Sequence, residues 1–290
     1  MNVTVYQVVT DRITALLEKG VVPWRQNWKS NLQPPQNLVS GKPYRGINIL
    51  LLHSMGYASP YWLTFRQAQE LGGHVKQGQK GCPVIFWRSI DVQNKETGET
   101  EHVPLLRYYT VFNLTQCDGI AAPAAENQTA DHTPVQAADR IVAGMPKCPE
   151  IQHGLNRAFY SPVKDMVGMP QPEQFKSAED YYSVLFHELT HSTGHQSRLN
   201  RKGVTRSEGK LAAFGSDPYA KEELVAEMGA AFLCGQAGIV ERTMDNSAAY
   251  IASWLERLKN DSKLVVQAAA QAQRAADYIL GGGEEITVTE

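Results

Sequence analysis

Residues 177–195, SAEDYYSVLFHELTHSTGH, are the stretch on which the interpretation of this chain depends. Ser177 and Asp180 have the spacing of a helix-capping box, and Gly194 is a residue type that commonly ends helices. Between them lie residues that favour a helix, so the pattern predicts one over about 178–193. This helix would form the centre of the second half of the molecule.

His187 and His191 are four residues apart on the predicted helix, so both imidazoles project from one face and can bind one metal ion. Glu188 follows the first histidine and can reach a water on that metal. A metal polarises a carbonyl and acidifies water, and a carboxylate accepts the proton, which is what peptide hydrolysis needs. We therefore predict two metal ligands and, in Glu188, a general base.

The alternative is a pair of surface histidines beside an ordinary helical glutamate. Positions 184, 185, 186 and 189 are apolar, which predicts that the helix is buried. A buried helix would not carry three such polar side chains without a partner to satisfy them. The metal interpretation is favoured for this reason.

A catalytic zinc needs a third protein ligand and one open position. His195 is one candidate, but it follows the helix-ending Gly194, and its direction is not fixed by the helix. Residues 218–235, PYAKEELVAEMGAAFLCG, predict a second long helix because they combine an N-terminal proline with good helix formers. That helix carries two further candidates, Glu223 and Glu227, which are one turn apart.

HELTH resembles the zincin motif, and the surroundings distinguish two kinds of zincin. Metzincins place a third histidine where this chain has Ser197, whereas the long downstream helix is similar to that of gluzincins. The gluzincin resemblance implies Glu223 as the third ligand and Glu227 as the carboxylate supporting a ligand histidine. Glu222 is expected to face solvent. If the helix had a different register, Glu227 would be the ligand and Glu223 the supporting carboxylate.

The same resemblance implies Zn²⁺ as the cofactor, with another divalent metal such as Mn²⁺ as the alternative. It also implies a residue that stabilises the transition state. The sequence leaves four candidates for that role unranked: Tyr160, His195, Tyr219 and Tyr250.

Composition indicates a folded protein of the cytoplasm with no membrane partner. The chain is 42% hydrophobic and 20% charged, and it has no apolar run long enough for a membrane span. The first residues lack the pattern of a secretion signal. Four scattered cysteines without a CxxC pair favour reduced thiols.

The two parts of the chain differ in charge. Residues 1–120 hold 12 basic against 8 acidic side chains, and the remainder holds 16 against 22. Residues 119–137 are rich in Ala, Pro, Thr and Gln without apolar periodicity, as is typical of a linker. We predict a first domain over 1–120, a linker over 121–137 and a second domain over 138–290.

The predicted fold class is α+β. In the first domain, apolar residues at helical spacing before Gly20 predict one helix, and Thr64 with Gln67 predicts the start of another. Residues 82–91 and 105–114 predict a β-hairpin. In the second domain we expect strands near 159–160 and 166–169, and helices over 249–258 and 264–280.

Basic and aromatic residues alternate in the first domain, as in VPWRQNWK at 22–29. Single-stranded nucleic acid is held by cations along its phosphates and by aromatic faces against its bases. The alternative is that the tryptophans are core residues and that the charge excess is too mild to matter. The predicted DNA contacts are Trp24, Arg25, Trp28, Lys29, Tyr44, Arg45, Lys76 and Lys80.

The runs VYQVVTDRITALLEKGVVPWRQNW, GKPYRGINILLL and YYTVFNLTQCDGI resemble the N-terminal domain of the ArdC antirestriction family, which also occurs in some plasmid primases. FKSAEDYYSVLFHELTHSTGHQSRLNR and YAKEELVAEMGAAFL resemble the zincin-like C-terminal domain of the same family. The resemblance covers roughly residues 3–120 and 137–280. It implies a plasmid or phage antirestriction protein active in conjugation.

What the resemblance implies is a single-stranded-DNA-binding α+β domain linked to a mostly helical gluzincin-like metallopeptidase domain with a small sheet. Its partners would be single-stranded DNA and a protein substrate that the sequence does not identify. One alternative is a non-proteolytic DNA-coating protein with a structural metal site, and another is a protease directed by DNA to DNA-bound proteins. Glu188 favours catalysis, since a structural site needs no base.

Overall fold

The structure is a computed structural model that describes residues 4–25, 34–93, 100–123, 133–201, 217–239 and 248–282. Within these ranges no helix combines the length and the apolar character that crossing a membrane requires. Helices and strands are both abundant, which confirms the predicted mixture of the two.

In the first part of the chain, the described residues form three α-helices and six strands. The helices are α1 (Val5–Glu18), α2 (Ile47–His53) and α3 (Phe65–Glu70). The strands are β1 (Gln36–Asn37), β2 (Tyr61–Thr64), β3 (His74–Val75), β4 (Cys82–Gln93), β5 (Thr100–Asn113) and β6 (Cys117–Asp118). Four of them form a sheet in the order β1-β2-β5-β4, and β3 pairs with β6.

Local sequence signals account for these elements. The Thr4 side chain accepts a hydrogen bond from the Gln7 backbone at the start of α1. Thr64 and Gln67 form the predicted capping box of α3, in which each side chain satisfies the other's backbone N–H. Strands β4 and β5 pair along their whole length, from Cys82 opposite Val111 onwards, and confirm the hairpin.

The second part is mostly helical. Its elements are α4 (Pro134–Gly144), β7 (Glu150–His153), β8 (Phe159–Ser161), β9 (Met166–Met169), α5 (Ala178–Ser192), α6 (Asp217–Ala237), α7 (Ala248–Asn260) and α8 (Leu264–Ile279). The three strands form a small sheet in the order β7-β9-β8, in which β7 runs parallel and β8 antiparallel to β9.

One predicted boundary needs correction. Helix α4 begins at Pro134, inside the predicted linker 121–137, because Thr133 caps it by accepting a hydrogen bond from the Gln136 backbone. Residues 119–137 resembled a linker because they are rich in Ala, Pro, Thr and Gln, and only the first residues of α4 fall within them. The division of the chain into domains otherwise stays a prediction.

A hydrophobic core joins the two parts of the chain. Helix α1 contributes Val9, Ile13 and Leu17 to it, and α7 contributes Trp254 and Leu258. Residues of α2, α6 and α8 complete the same cluster. Since the core is continuous, the first part packs directly on α6, the helix that carries Glu223.

A second core supports the helix with the histidine pair. Leu185, Phe186 and Leu189 of α5 are buried against Leu233 and Cys234 of α6. The apolar positions therefore confirm the predicted burial of this helix. The histidines occupy the remaining face of α5.

Candidate metal centre

Helices α5 and α6 bring three predicted ligands together. The Nε2 atoms of His187 and His191 are 3.1 Å apart. The Glu223 carboxylate faces both imidazoles, with 3.6 Å from Oε2 to His187 Nε2 and 3.5 Å from Oε1 to His191 Nε2. Two side chains from one helix and one from the next thus form a triangle of ligand atoms.

The distances between the three ligand atoms can be compared with those expected around a bound metal ion. Zinc bonds to nitrogen and oxygen are about 2.0–2.1 Å long, so neighbouring atoms of a tetrahedral shell lie about 3.4 Å apart. The observed separations of 3.1, 3.5 and 3.6 Å match that edge. The three side chains are partly exposed, which leaves room for water or substrate in the open position. The residues fit a small divalent metal.

The pKa shifts of Glu223 and His187 also show that the ligand triangle favours a bound positive charge. Burial opposes ionisation of Glu223, but its hydrogen bond with His187 and the nearby charges of both histidines lower its pKa to about 2. Burial lowers the pKa of His187, while its hydrogen bond to Glu223 and the charge of Glu188 raise it by more. A metal would replace the proton that these groups attract in its absence.

Glu222 has a different position from the one expected. It was predicted to face solvent, yet it is only 7% exposed, and its Oε1 lies 3.4 Å from Nδ1 of His191. Arg201 holds this carboxylate through Nε, at 3.1 Å, and through its terminal nitrogen. A ligand histidine usually donates its second N–H to such a carboxylate. Glu222 therefore orients His191.

Glu227 has a contact set that contradicts its predicted role as the supporting carboxylate. Its Oε2 accepts hydrogen bonds from Trp24 Nε1, at 2.8 Å, and from the Tyr250 hydroxyl. Its Oε1 forms an ion pair with Arg25 at 3.0 Å. The negative charge of Glu227 also contributes to the raised pKa of His187. Through Trp24 and Arg25, Glu227 connects the first part of the chain to α6.

Glu188 lies beside the triangle. It is buried on α5, and its negative charge contributes to the raised pKa of both His187 and Tyr219. Burial, and then the charge and hydrogen bond of Glu223, raise the pKa of the Tyr219 phenol to about 12. Tyr219 therefore keeps its proton and can donate it in a hydrogen bond.

The structure separates the four transition-state candidates. Tyr160 donates to Asp165, and Tyr250 donates to Glu227. His195 Nδ1 lies 2.8 Å from the Ser197 hydroxyl and does not belong to the ligand triangle. Tyr219 is the candidate that bonds to a predicted ligand, Glu223.

Close packing of α5 and α6 sets the distance between the ligands. A Cβ atom at Gly229 would lie 2.5 Å from Cγ2 and 2.8 Å from Oγ1 of Thr190. Thr190 is completely buried one residue before His191. Because glycine lets the helices approach here, Glu223 on α6 reaches the histidines on α5.

Gly229→Ala is expected to force the helices apart, lower stability by about 1–3 kcal/mol and weaken metal binding. Gly235→Ala is the matched control, since it lies on the same helix with open space at its Cβ and should be neutral or stabilising. Urea unfolding and metal titration of both variants measure the effects. Equal behaviour of the two variants would contradict this role of the helix contact.

The predicted DNA contacts are distributed differently from the expectation. Trp24 is 1% exposed and Tyr44 is 8% exposed, so neither ring presents a face to a base, and the structure contradicts stacking by them. Arg25 pairs with Glu227 and lies 3.7 Å above the Tyr250 ring.

The remaining predicted DNA contacts differ in whether their side chains are paired with an acidic residue. Arg45 pairs with Asp277 across the two parts of the chain, and Lys76 lies 3.4 Å from Asp118. Lys80 is exposed and stays available to a phosphate. Trp28 and Lys29 lie outside the described residues.

A histidine pair on one helix, a glutamate on the next and a small mixed sheet define a zincin-like fold. Residues 136–271 match the family described as zincin-like metallopeptidase. Residues 3–112 match the N-terminal domain of the anti-restriction factor ArdC. The chain belongs to the ArdC antirestriction family.

Solved structures agree with this assignment. The metal-free crystal structure of antirestriction protein ArdC from plasmid R388 is 40% identical, with a TM-score of 0.73 over 95% of this chain and 96% of that chain. Its Mn(II)-bound structure is 38% identical, with a TM-score of 0.74 over 98% of this chain and 99% of that chain.

Curated relatives include an uncharacterized protein, y4eC, of Sinorhizobium fredii (strain NBRC 101917 / NGR234), 36% identical over 95% of this chain and 91% of its own length. Two Escherichia coli proteins named DNA primase TraC are 35% and 34% identical, each over 95% of this chain. The chain spans only 27% and 20% of those primases.

Proposed function

We propose that this protein binds single-stranded DNA through its first part and hydrolyses peptide bonds at the metal centre, as an antirestriction protein acting in the cytoplasm. The observation that carries the peptidase proposal is the triangle of His187, His191 and Glu223 with the buried Glu188 beside it. Zn²⁺ is the proposed metal and Mn²⁺ the alternative, since the R388 protein was crystallised with Mn(II).

A divalent metal in the triangle would supply a polarised carbonyl and an acidified water. Glu188 accepts the proton of that water and returns it to the leaving amine, because its carboxylate lies next to the first ligand. Tyr219 donates a hydrogen bond to the negative oxygen that develops on the carbonyl, as its phenol stays protonated.

An extended peptide would bind along β8. This strand forms one edge of the small sheet, so its outer backbone groups can pair with a substrate strand. Its neighbour β9 and helix α5 both pack against the second core, which fixes the edge relative to the histidines. Strand addition would therefore place a peptide bond near the open position of the site.

The proposal is tested on the full chain loaded with Zn²⁺ or Mn²⁺. We expect cleavage of a labelled peptide pool that a chelator abolishes, and binding of an oligonucleotide that is stronger for single strands than for duplex. Binding should weaken with salt, with a logarithmic slope of about −0.7 per phosphate contact. Absence of cleavage, or of binding at low salt, would contradict the corresponding half of the proposal.

A further inference from the structure

Large aromatic side chains are exposed on the four-stranded sheet of the first part. Trp87 on β4 is 40% exposed and Tyr108 on β5 is 49% exposed. Trp87 pairs with Leu106, and Tyr108 follows two residues later on β5, so both point to the same face as diagonal neighbours. Diagonal neighbours of this kind are about 7–8 Å apart.

The same face continues along β5. Thr110 and Phe112 follow Tyr108 at spacing two, and side chains at that spacing share a face. The Phe112 ring packs edge-on against Phe65 of α3, at 6.5 Å between centroids, and Phe65 is 51% exposed. We call the set Phe65, Trp87, Tyr108, Thr110 and Phe112 the aromatic face.

Glycine keeps the middle of this face open. A Cβ atom at Gly81 would lie 2.3 Å from Cγ2 of Thr110 and 3.1 Å from the Phe112 ring. Thr110 is exposed between the two aromatic positions. The result is a strand surface with rings at both ends and a small side chain between them.

The spacing of the rings suits stretched nucleotides. Four residues along a strand separate Tyr108 from Phe112 by about 13–14 Å. A single strand pulled to about twice its duplex rise of 3.4 Å would cover that distance in roughly two nucleotide steps. Tyr108 at one end, and at the other end the exposed Phe65 ring that packs on the partly buried Phe112, can therefore contact separate bases of one strand.

The described side chains next to Phe65 and Gly81 in sequence include two exposed cations. Arg66 follows Phe65, with its side chain 87% exposed. Lys80 is exposed just before Gly81. The acidic residues nearby are Glu70, which pairs with Arg66, and Asp118, which pairs with Lys76. Cations beside exposed rings suit a polyanion whose bases stack.

We propose that the aromatic face is the platform on which single-stranded DNA stacks its bases, with Arg66 and Lys80 as the candidate contacts for its phosphates. This inference rests on the proposed DNA binding and assigns it to a surface that excludes the buried Trp24 and Tyr44. Open sheets that present aromatic rings bind single strands in the same physical way.

The test uses the full chain and a fluorescein-labelled oligothymidine in an anisotropy titration. Tyr108→Ala and Trp87→Ala should each weaken binding roughly 5- to 150-fold, the loss expected when one base stack disappears. Tyr108→Phe should retain affinity, because the ring remains. Leu280→Ala, an exposed apolar position in the second part, is the control and should bind as the parent does.

Photocrosslinking of the parent protein to an iodouracil-substituted strand gives an independent measurement that needs no substitution. Crosslinks to peptides containing Trp87 or Tyr108 are expected. If the parent binds DNA but both alanine variants bind within twofold of it, or if crosslinks form only elsewhere, the aromatic face is the wrong surface and DNA binding stands. If the parent binds no single strand, both proposals fail.

Discussion

Glu223→Ala is expected to leave the protein folded but unable to retain a metal ion through dialysis. The two histidines alone would provide only two protein ligands, whereas a catalytic zinc site uses three. The carboxylate of Glu223 also supplies the negative charge that faces both imidazoles. Metal content after dialysis against Zn²⁺ or Mn²⁺, measured by elemental analysis, should fall from one ion per chain to background.

Three variants serve as controls for this result. Glu222→Gln keeps the size of the side chain that orients His191 and should weaken metal binding about 10–100-fold. Glu227→Gln should keep the metal but lower stability by about 3 kcal/mol, because Arg25 and Trp24 lose a partly buried carboxylate. His195→Ala should keep the metal.

The ligand assignment would be wrong if Glu223→Ala retained a full complement of metal. It would also be wrong if His195→Ala alone removed the metal. Circular dichroism and urea unfolding of every variant separate loss of a ligand from loss of the fold. The expected loss of metal therefore follows the contacts: it is largest for the ligand Glu223, smaller for Glu222, which contacts His191, and absent for Glu227.

The elements that local signals determine could be predicted from the sequence. Capping residues and apolar spacing placed α1, α3 and α5, because these signals act within one or two helical turns. The histidine spacing on α5 follows from helix geometry in the same way. A spacing of four residues on a helix is enough to show that the two side chains share a face.

The roles of the three carboxylates on α6 could not be predicted with the same success. Glu222 and Glu223 are adjacent and both approach His191 of α5, and which of them reaches its Nε2 atom depends on the rotation of α6 about its axis. That rotation follows from the contact of Gly229 with Thr190, which joins two helices distant in sequence. Arg201 donates a hydrogen bond to Glu222. The two residues are far apart in sequence, so no local spacing pattern predicts that they are partners.

The burial of the aromatic residues also depends on contacts between distant parts of the sequence and could not be predicted. Trp24 was predicted at a DNA surface because it lies among basic residues, but its ring packs edge-on against Trp254, at 5.9 Å, and its N–H donates to Glu227. Composition identifies aromatic residues near cations and does not identify which of them a distant helix covers. Glu227 lies one turn from Glu223, so the first part contacts the ligand helix itself.

Glu188→Ala is expected to lower peptidase turnover by about 10²–10⁴-fold while fold, metal content and DNA affinity are retained. Glu188 lies beside His187 without being part of the ligand triangle, so its loss removes the proton acceptor alone. His187→Ala is the comparison, because it should remove metal and turnover together. Initial rates on a cleaved peptide, elemental analysis and oligonucleotide anisotropy measure the three properties.

The protection of incoming DNA against restriction in cells carrying Glu188→Ala then separates the proposed mechanisms. Loss of protection with intact DNA affinity would show that proteolysis is required. Persistent protection would favour a protein that coats DNA, since the aromatic face is remote in sequence from Glu188 and unaffected by its removal. A Glu188→Ala protein that loses its metal would mean that Glu188 is a ligand, and the assignment of the base would then be wrong.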